Sequence, residues 1–305
     1  MAQKPASPKN WLPLIGSIEI GKNVISQLPS SGSGPRIGDE SPIAVVRSDM
    51  IFDEGEVEFE ALLGEPAARC QLMLSSSGGD PDVVAGLNVG QAPYGFAHFR
   101  NGQWETLGGS GHGTSLLANH WYSIRVKVLG SNLTLFVSDI EVARVSFRVQ
   151  SGPLGLFFQG DKKSSVRNVR VLASQPICFV AMQFSPEFNE LFSEVIRPTC
   201  ENFGYRVIRA DDQYSNGLII DDITRSIREA AIVIADITPN NLNVFYEVGF
   251  SHGIGKPTIL LSDRRRERLP FDISGFRTLF YDNTIGGKSA VQERLQRHLE
   301  SIAAN

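Results

Sequence analysis

The chain has 305 residues, of which 42% are hydrophobic and 20% charged, with 29 Lys and Arg against 33 Asp and Glu. The length suggests two domains, each able to bury its own core, and the apolar fraction with a net charge of only -4 excludes a wholly disordered chain. The lack of a basic excess argues against dedicated nucleic-acid binding. No apolar run approaches the roughly 20 residues needed to cross a bilayer, so no membrane partner is expected. Met1 to Asn10 is polar and lacks the apolar centre of a signal peptide. Cys70, Cys178 and Cys200 are too few and too scattered for a disulfide framework or a zinc site. The expectation is a reduced, cytoplasmic, soluble protein with no metal.

Residues 1–40 read as an N-terminal segment, flexible in part. From residue 41 to 173 the pattern has period two. Glu56 to Ala61 alternates strictly, and Tyr122, Ile124, Val126 and Val128 alternate with Ser123, Arg125 and Lys127. Leu133, Leu135 and Val137 continue the alternation, followed by Val145, Phe147 and Val149, then Leu154, Leu156 and Phe158. Strands with one apolar and one polar face belong to antiparallel sheets with one buried side. Gly, Ser and Asn clusters at 75–79, 101–102, 108–113 and 130–132 punctuate them. The pattern predicts an all-β sandwich.

Asn119 to Val126, Asn132 to Val137, the closing run Gly152 to Phe158 and Val166 to Val171 carry a resemblance to concanavalin-like (laminin-G-like) jelly rolls. That resemblance implies a sensing or assembly domain whose ligand is a glycan, a small molecule or a protein.

After Ser174-Gln175-Pro176 the grammar changes, and 177–305 reads as a second domain. Ile177 to Met182 is a continuous apolar run, the sign of a strand covered on both faces. Phe188, Leu191, Phe192, Val195, Ile196, Thr199 and Phe203 follow helical spacing, Gly204 supplies a stop, and Pro198 should kink the helix. Tyr205 to Ala210 is a second strand. Leu218, Ile219, Ile223 and Ile227 mark a helix, and Ala231 to Ile237 a buried strand. A helix from about Asn243 to Gly253, strands at Pro257 to Ser262 and Arg277 to Tyr281, and a helix at Val291 to Ile302 complete the domain. Alternating strands and helices imply a flavodoxin-like, three-layer α/β domain with a five-stranded parallel sheet.

Such sheets bind ligands beyond the carboxyl ends of the strands, at the switch point between the first and third. That rule selects Gln183 and Phe184 after strand one, Asp211 and Asp212 after strand two, and Asp236 at the end of strand three. It also selects Asn243, Tyr246 and Glu247 on the following helix, and Arg264 and Arg265 after strand four. Glu247 stands among Phe245, Tyr246, Val248 and Phe250 near a helix N-terminus, where the dipole favours its charge and burial opposes it. A carboxylate there suits cleavage of an N-ribosidic bond, whose transition state resembles an oxocarbenium ion. Gly249 leaves room for a close approach. The alternatives are ordinary ones: Glu247 complementing the dipole, Asp236 capping its loop, Asp221 and Asp222 sitting in a first turn, and Arg264 to Arg266 solvated. His252 is five positions from Glu247 and reads as structural, and His98, His112 and His120 show no metal spacing.

Phe179 to Phe184, Ala235 to Thr238, Asn243 to Gly249, Gly255 to Leu261 and Leu269 to Asp272 together resemble the nucleoside 2-deoxyribosyltransferase-like superfamily, and more closely its TIR-like branch found in bacterial defence proteins. The resemblance implies Glu247 as the central catalytic carboxylate and Asp236 as a second. The candidates for substrate contact are Gln183, Phe184, Asp212, Asn243, Tyr246, Arg264 and Arg265, from their places around the switch point. Transferases commonly carry an acidic-Gly-Thr stretch where this chain reads Asn243-Val244-Phe245-Tyr246, which favours hydrolysis over deoxyribosyl transfer. The function implied is an N-glycosidase acting on NAD or a related nucleotide as substrate, with no resident cofactor, in an antiviral-defence effector that works as a homo-oligomer. The alternatives are a metabolic nucleoside deoxyribosyltransferase or hydrolase, and a non-catalytic nucleotide-binding scaffold.

Overall fold

The computed structural model describes residues 5–29, 41–74, 83–100, 103–113, 115–210, 218–266 and 268–303. The chain passes from one compact unit to a second between Ser174 and Gln175.

The first unit is built of strands β1 (Trp11–Ile15), β2 (Ile18–Ile20), β3 (Val24–Gln27), β4 (Ile43–Phe52), β5 (Gly55–Leu62), β6 (Arg69–Leu74) and β7 (Val83–Val89). They are followed by β8 (Ala92–Arg100), β9 (Gln103–Ser110), β10 (Trp121–Leu129), β11 (Asn132–Val137), β12 (Ile140–Ser146), β13 (Gly152–Gln159) and β14 (Ser165–Ala173). They form two seven-stranded sheets, β1-β4-β13-β6-β7-β8-β9 and β12-β11-β10-β5-β14-β3-β2. This is a jelly-roll sandwich. On β5, Gly55, Val57, Phe59 and Ala61 are buried while Glu56, Glu58, Glu60 and Leu62 between them are not, as the alternation predicts. Phe59, Leu72, Phe96, Ile124, Leu135 and Phe158 close the space between the sheets.

Two features depart from the sequence expectation. The sandwich was expected to begin at residue 41, yet β1 pairs with β4 and β3 with β14, so residues 11–27 add strands to both sheets. These strands are short and carry little alternation, and pairing with neighbours defines them. In addition, β6 and β13 are buried along almost their whole length. Their sheet carries a second apolar cluster (Val45, Met73, Val84, Val89, Ala97 and Phe157) on the face away from the main core. Neighbouring residues such as Leu72 and Met73 therefore belong to opposite faces, both apolar.

The second unit has β15 (Ile177–Ala181), α1 (Pro186–Leu191), a π-helical turn (Phe192–Ile196), α2 (Arg197–Asn202), β16 (Arg206–Arg209) and α3 (Ile219–Glu229). It continues with β17 (Ile232–Asp236), α4 (Leu242–Gly253), β18 (Thr258–Asp263), β19 (Thr278–Tyr281) and α5 (Ile285–Ala303). The sheet order is β16-β15-β17-β18-β19, all parallel. Helix α1, the π turn, α2 and α5 cover one face through Leu191, Phe192, Val195, Cys200, Leu295 and Leu299. Helices α3 and α4 cover the other through Ile227, Val244 and Val248. This is the doubly wound, three-layer arrangement, with its switch point between β15 and β17.

Pro198 lies in the first turn of α2. Lacking an N–H, it cannot bond the carbonyl four residues back, and the chain widens into the π turn directly before it. Helix α4 is followed, after Ile254, by Gly255, whose φ of 67° is the left-handed conformation glycine adopts without strain. No described helix is long and apolar enough to cross a membrane.

Candidate functional site

Helix α4 begins at Asn241, whose side-chain oxygen accepts the N–H of Asn243 at 3.0 Å. Val244, Glu247, Val248 and Ser251 form its buried face, at the spacing of adjacent helical turns. Glu247 is thus the sixth residue of the helix, in its second turn. The dipole falls off within the first turn, so complementing it is a poor explanation for this carboxylate. The residue is 5% exposed. Among the described residues its carboxylate has no hydrogen-bond or ion-pair partner. Burial alone pushes its pKa up from the ordinary 4.5 to about 7.

Asp236 at the end of β17 is a different carboxylate. It is completely buried, and both its oxygens are engaged: Thr238 N–H donates to Oδ1 at 2.9 Å and the Tyr281 hydroxyl to Oδ2 at 2.6 Å. Burial raises its pKa while these two donors oppose the rise. Tyr281, beside it, is held well above the ordinary phenol by burial first and by the charge of Asp236 next. The Thr238 hydroxyl accepts the N–H of Asp263 at 2.9 Å, joining the ends of β17 and β18. Asp236 was expected as a second reacting carboxylate. In the structure its two hydrogen bonds tie it to the loop leading into α4 and to β19.

The arginines after β18 divide. Arg266 donates to the carbonyls of Ile237 and Thr238 and, at 2.6 Å, to Asn240 Oδ1, so it braces the same loop. Arg265 pairs with Asp263 at 2.7 Å and with Glu187, which leaves its charge compensated on two sides. Arg264 leans to Asp282 at 3.5 Å and lines a cavity on the outer edge of β19. It therefore does not join Glu247 at the switch point.

Of the other expected contacts, Gln183 is partly buried directly after β15, and Phe184 is 52% exposed. Asn243 and Tyr246 lie on the solvent side of α4, Tyr246 at 48% exposure. Asp212, like Asp211, lies outside the described residues. Asp221 is in the first turn of α3, and Asp222 pairs with Arg225. His252 stacks on Phe276 with ring centroids 4.1 Å apart, a packing role. Gly249 faces open space.

Sequence reasoning missed Tyr281, which lies 45 positions from its partner and reads as an ordinary strand residue. It also missed Arg209, a buried guanidinium at the end of β16. Arg209 stacks over Phe184 and Phe192 and donates to Asn189 Oδ1 at 2.7 Å. Its signal was available, since a strand end beside the switch point is where the rule looks. Among the described residues no three His, Cys, Asp or Glu side chains gather as a metal site.

No protein-family model matches the chain, and no curated protein matches it. Among solved structures it is similar to the carbohydrate-binding module CBM66 from Bacillus subtilis, at 16% identity and a TM-score of 0.43, over 53% of this chain and 94% of that one. It is similar to a Bacillus licheniformis β-glucanase, at 12% identity and a TM-score of 0.38, over 57% of this chain and 99% of that one. A third is an endo-β-galactosidase from Clostridium perfringens that releases GlcNAcα1-4Gal, at 7% identity and a TM-score of 0.41, over 56% of this chain and 61% of that one.

Proposed function

We propose that the second unit cleaves the N-ribosidic bond of NAD or a related nucleotide, with Glu247 meeting the ribose. The observation that carries this reading is a single buried carboxylate without a partner, held near pKa 7 on the helix that follows the switch-point strand. An uncompensated charge in such a place costs stability, and a reaction that generates positive charge beside it makes use of that cost. As the bond from ribose C1′ to the base nitrogen breaks, its electron pair leaves with the base and C1′ becomes cationic. Ionised Glu247 stabilises that cation, water adds to C1′, and the proton lost by the water passes to solvent. Nicotinamide leaves NAD as a neutral molecule, so the step needs no general acid. Asp236, Tyr281 and Arg266 hold the loop that orients α4. The motif resemblance supports the same chemistry in an antiviral-defence effector, with the sandwich as its sensing or oligomerisation domain.

For the first unit we propose recognition, a glycan being one candidate ligand.

The test incubates the full chain with NAD, NADP and deoxynucleosides and identifies released base by chromatography. Release of nicotinamide, lost in Glu247→Gln, is expected. No release from any substrate, or a Glu247→Gln variant that keeps most of its activity, rejects the reading.

A further inference from the structure

The outer edge of β19 holds a cavity of about 390 Å³ that the proposed chemistry does not use. Arg264 reaches it from the end of β18, and Arg277 directly precedes β19. Arg294, Arg297, His298 and Ser301 reach it from α5. The last four recur at helical spacing, so they share one face. Four arginines and a histidine line the cavity, and among the described residues no carboxylate does.

Two of the charges are compensated from outside the cavity, Arg264 by Asp282 at 3.5 Å and Arg297 by Glu293 at 2.5 Å. The other two are not. Arg294 donates only to the carbonyl of Phe280, at 3.1 Å, and Arg277 has no hydrogen-bond or ion-pair partner among the described residues. In a chain whose net charge is -4, such a cluster is a local reversal and not a share of a basic surface. Charge on an edge strand also discourages pairing with other strands. That role needs one residue at the edge, and only Arg277 flanks β19; the other three converge from β18 and α5. Planar guanidinium forks match phosphate oxygens two at a time, and the volume lies within the range of small-ligand sites.

We propose that this cavity binds a chain of phosphates, carried by a nucleotide or by inorganic polyphosphate, at a site separate from Glu247. The two sites are two strands apart in the sheet, about 10 Å in strand spacing alone.

Calorimetry on the full chain at low ionic strength, with ATP, sodium tripolyphosphate and adenosine as probes, tests the assignment. ATP and tripolyphosphate are expected to bind and adenosine is not, with affinity falling as salt is added. Arg277→Ala combined with Arg294→Ala should weaken both phosphate probes about tenfold or more. Tighter binding of ATP identifies a nucleotide as the source, and equal binding identifies the phosphate chain alone. The pair Arg277→Lys and Arg294→Lys keeps the charge and loses the fork. It should fall between wild type and the alanine pair, and it decides the matter if the alanine pair misfolds. Glu247→Gln should bind both probes as wild type does, so the result stands whether or not the chain releases base. Unchanged affinity in the doubly substituted variants, or no binding of either phosphate probe by the wild type, overturns the proposal.

Discussion

On β5, Glu56 and Glu60 stand on the outward side of a strand, and Arg125, Lys127 and Arg167 reach them from β10 and β14. On α4, Glu247 faces inward among Val244, Val248 and Ser251, and no cation reaches it among the described residues. The chemistry of the side chain is the same in both places. What differs is solvent and company. Partly exposed pairs give up little by being neutralised, and each contributes at most about 1 kcal/mol. A buried carboxylate without a partner carries a desolvation cost that appears directly in its pKa. Asp236 shows that burial alone is not the distinction, because it is more deeply enclosed than Glu247 and has two donors. Reactivity is expected where burial and lack of partners coincide, and among the described residues Glu247 is such a place.

The sharpest way to break this contrast is Glu247→Gln, which removes the charge and almost no volume. Base release is expected to fall by about a thousandfold or more, the scale of losing a principal transition-state charge, with circular dichroism unchanged. The pH profile provides a second measure. Because the ionised form is the reactive one, wild-type turnover should rise with pH through about 7 and not through the ordinary carboxylate range near 4.5.

The same substitution has a stability arm with a definite sign. The native carboxyl holds its proton up to about pH 7, while the unfolded chain releases it near 4.5. Between those values the native state binds more protons, so wild-type stability falls as pH rises and levels off above 7. Glu247→Gln lacks this slope. Denaturant titrations should find the variant more stable by about 3 kcal/mol at pH 8, with the difference gone at pH 4. A parallel pH dependence in the two proteins contradicts the environment described for Glu247.

Tyr281→Phe asks what happens when the satisfied carboxylate loses a donor. The cavity is unchanged in shape and Asp236 Oδ2 is left buried without its bond. A loss of about 1–3 kcal/mol is expected, measured by thermal or denaturant unfolding. A tyrosine that merely fills space would show almost none.

Period and spacing made the sheets legible, because burial on one face writes itself into alternate residues, as on β5 and β10. They made the α/β topology legible as well, since β15 and β17 are covered on both faces and read as unbroken apolar runs. Strands β1 to β3 were not legible. They are three to five residues long, and β1 and β3 owe their place to partners distant in sequence, with β2 paired to β3. The second apolar face on β6 and β13 was hidden for a related reason, because Leu72-Met73-Leu74 reads as one run whichever sheet faces it covers. At the candidate site, position along the chain singled out Glu247 and Asp236 alike. Only coordinates separate a carboxylate with two donors from one with none, since Tyr281 and Thr238 approach Asp236 through the fold. Arg264 was drawn to the switch point by its place after β18, and the side chain turns instead to the β19 edge. The spacing of Arg294, Arg297 and His298 on one helical face was a signal available in the sequence.

The smallest effect is expected from Glu60→Gln, and it sharpens the contrast from its other side. Glu60 is paired with Arg167, whose guanidinium also lies over the Trp121 ring at 4.0 Å. Removing the carboxylate charge leaves that stacking in place, and both partners are partly exposed, so solvent takes over most of the lost interaction. Unfolding at low salt should show a loss below about 1 kcal/mol, shrinking further at high ionic strength as screening weakens the wild-type pair. Base release from NAD should be unchanged. Loss of base release in Glu60→Gln together with its survival in Glu247→Gln would reverse the assignment, moving the chemistry to the sandwich. Any loss of stability well above 1 kcal/mol would show that the paired row on β5 does more than neutralise its own charge.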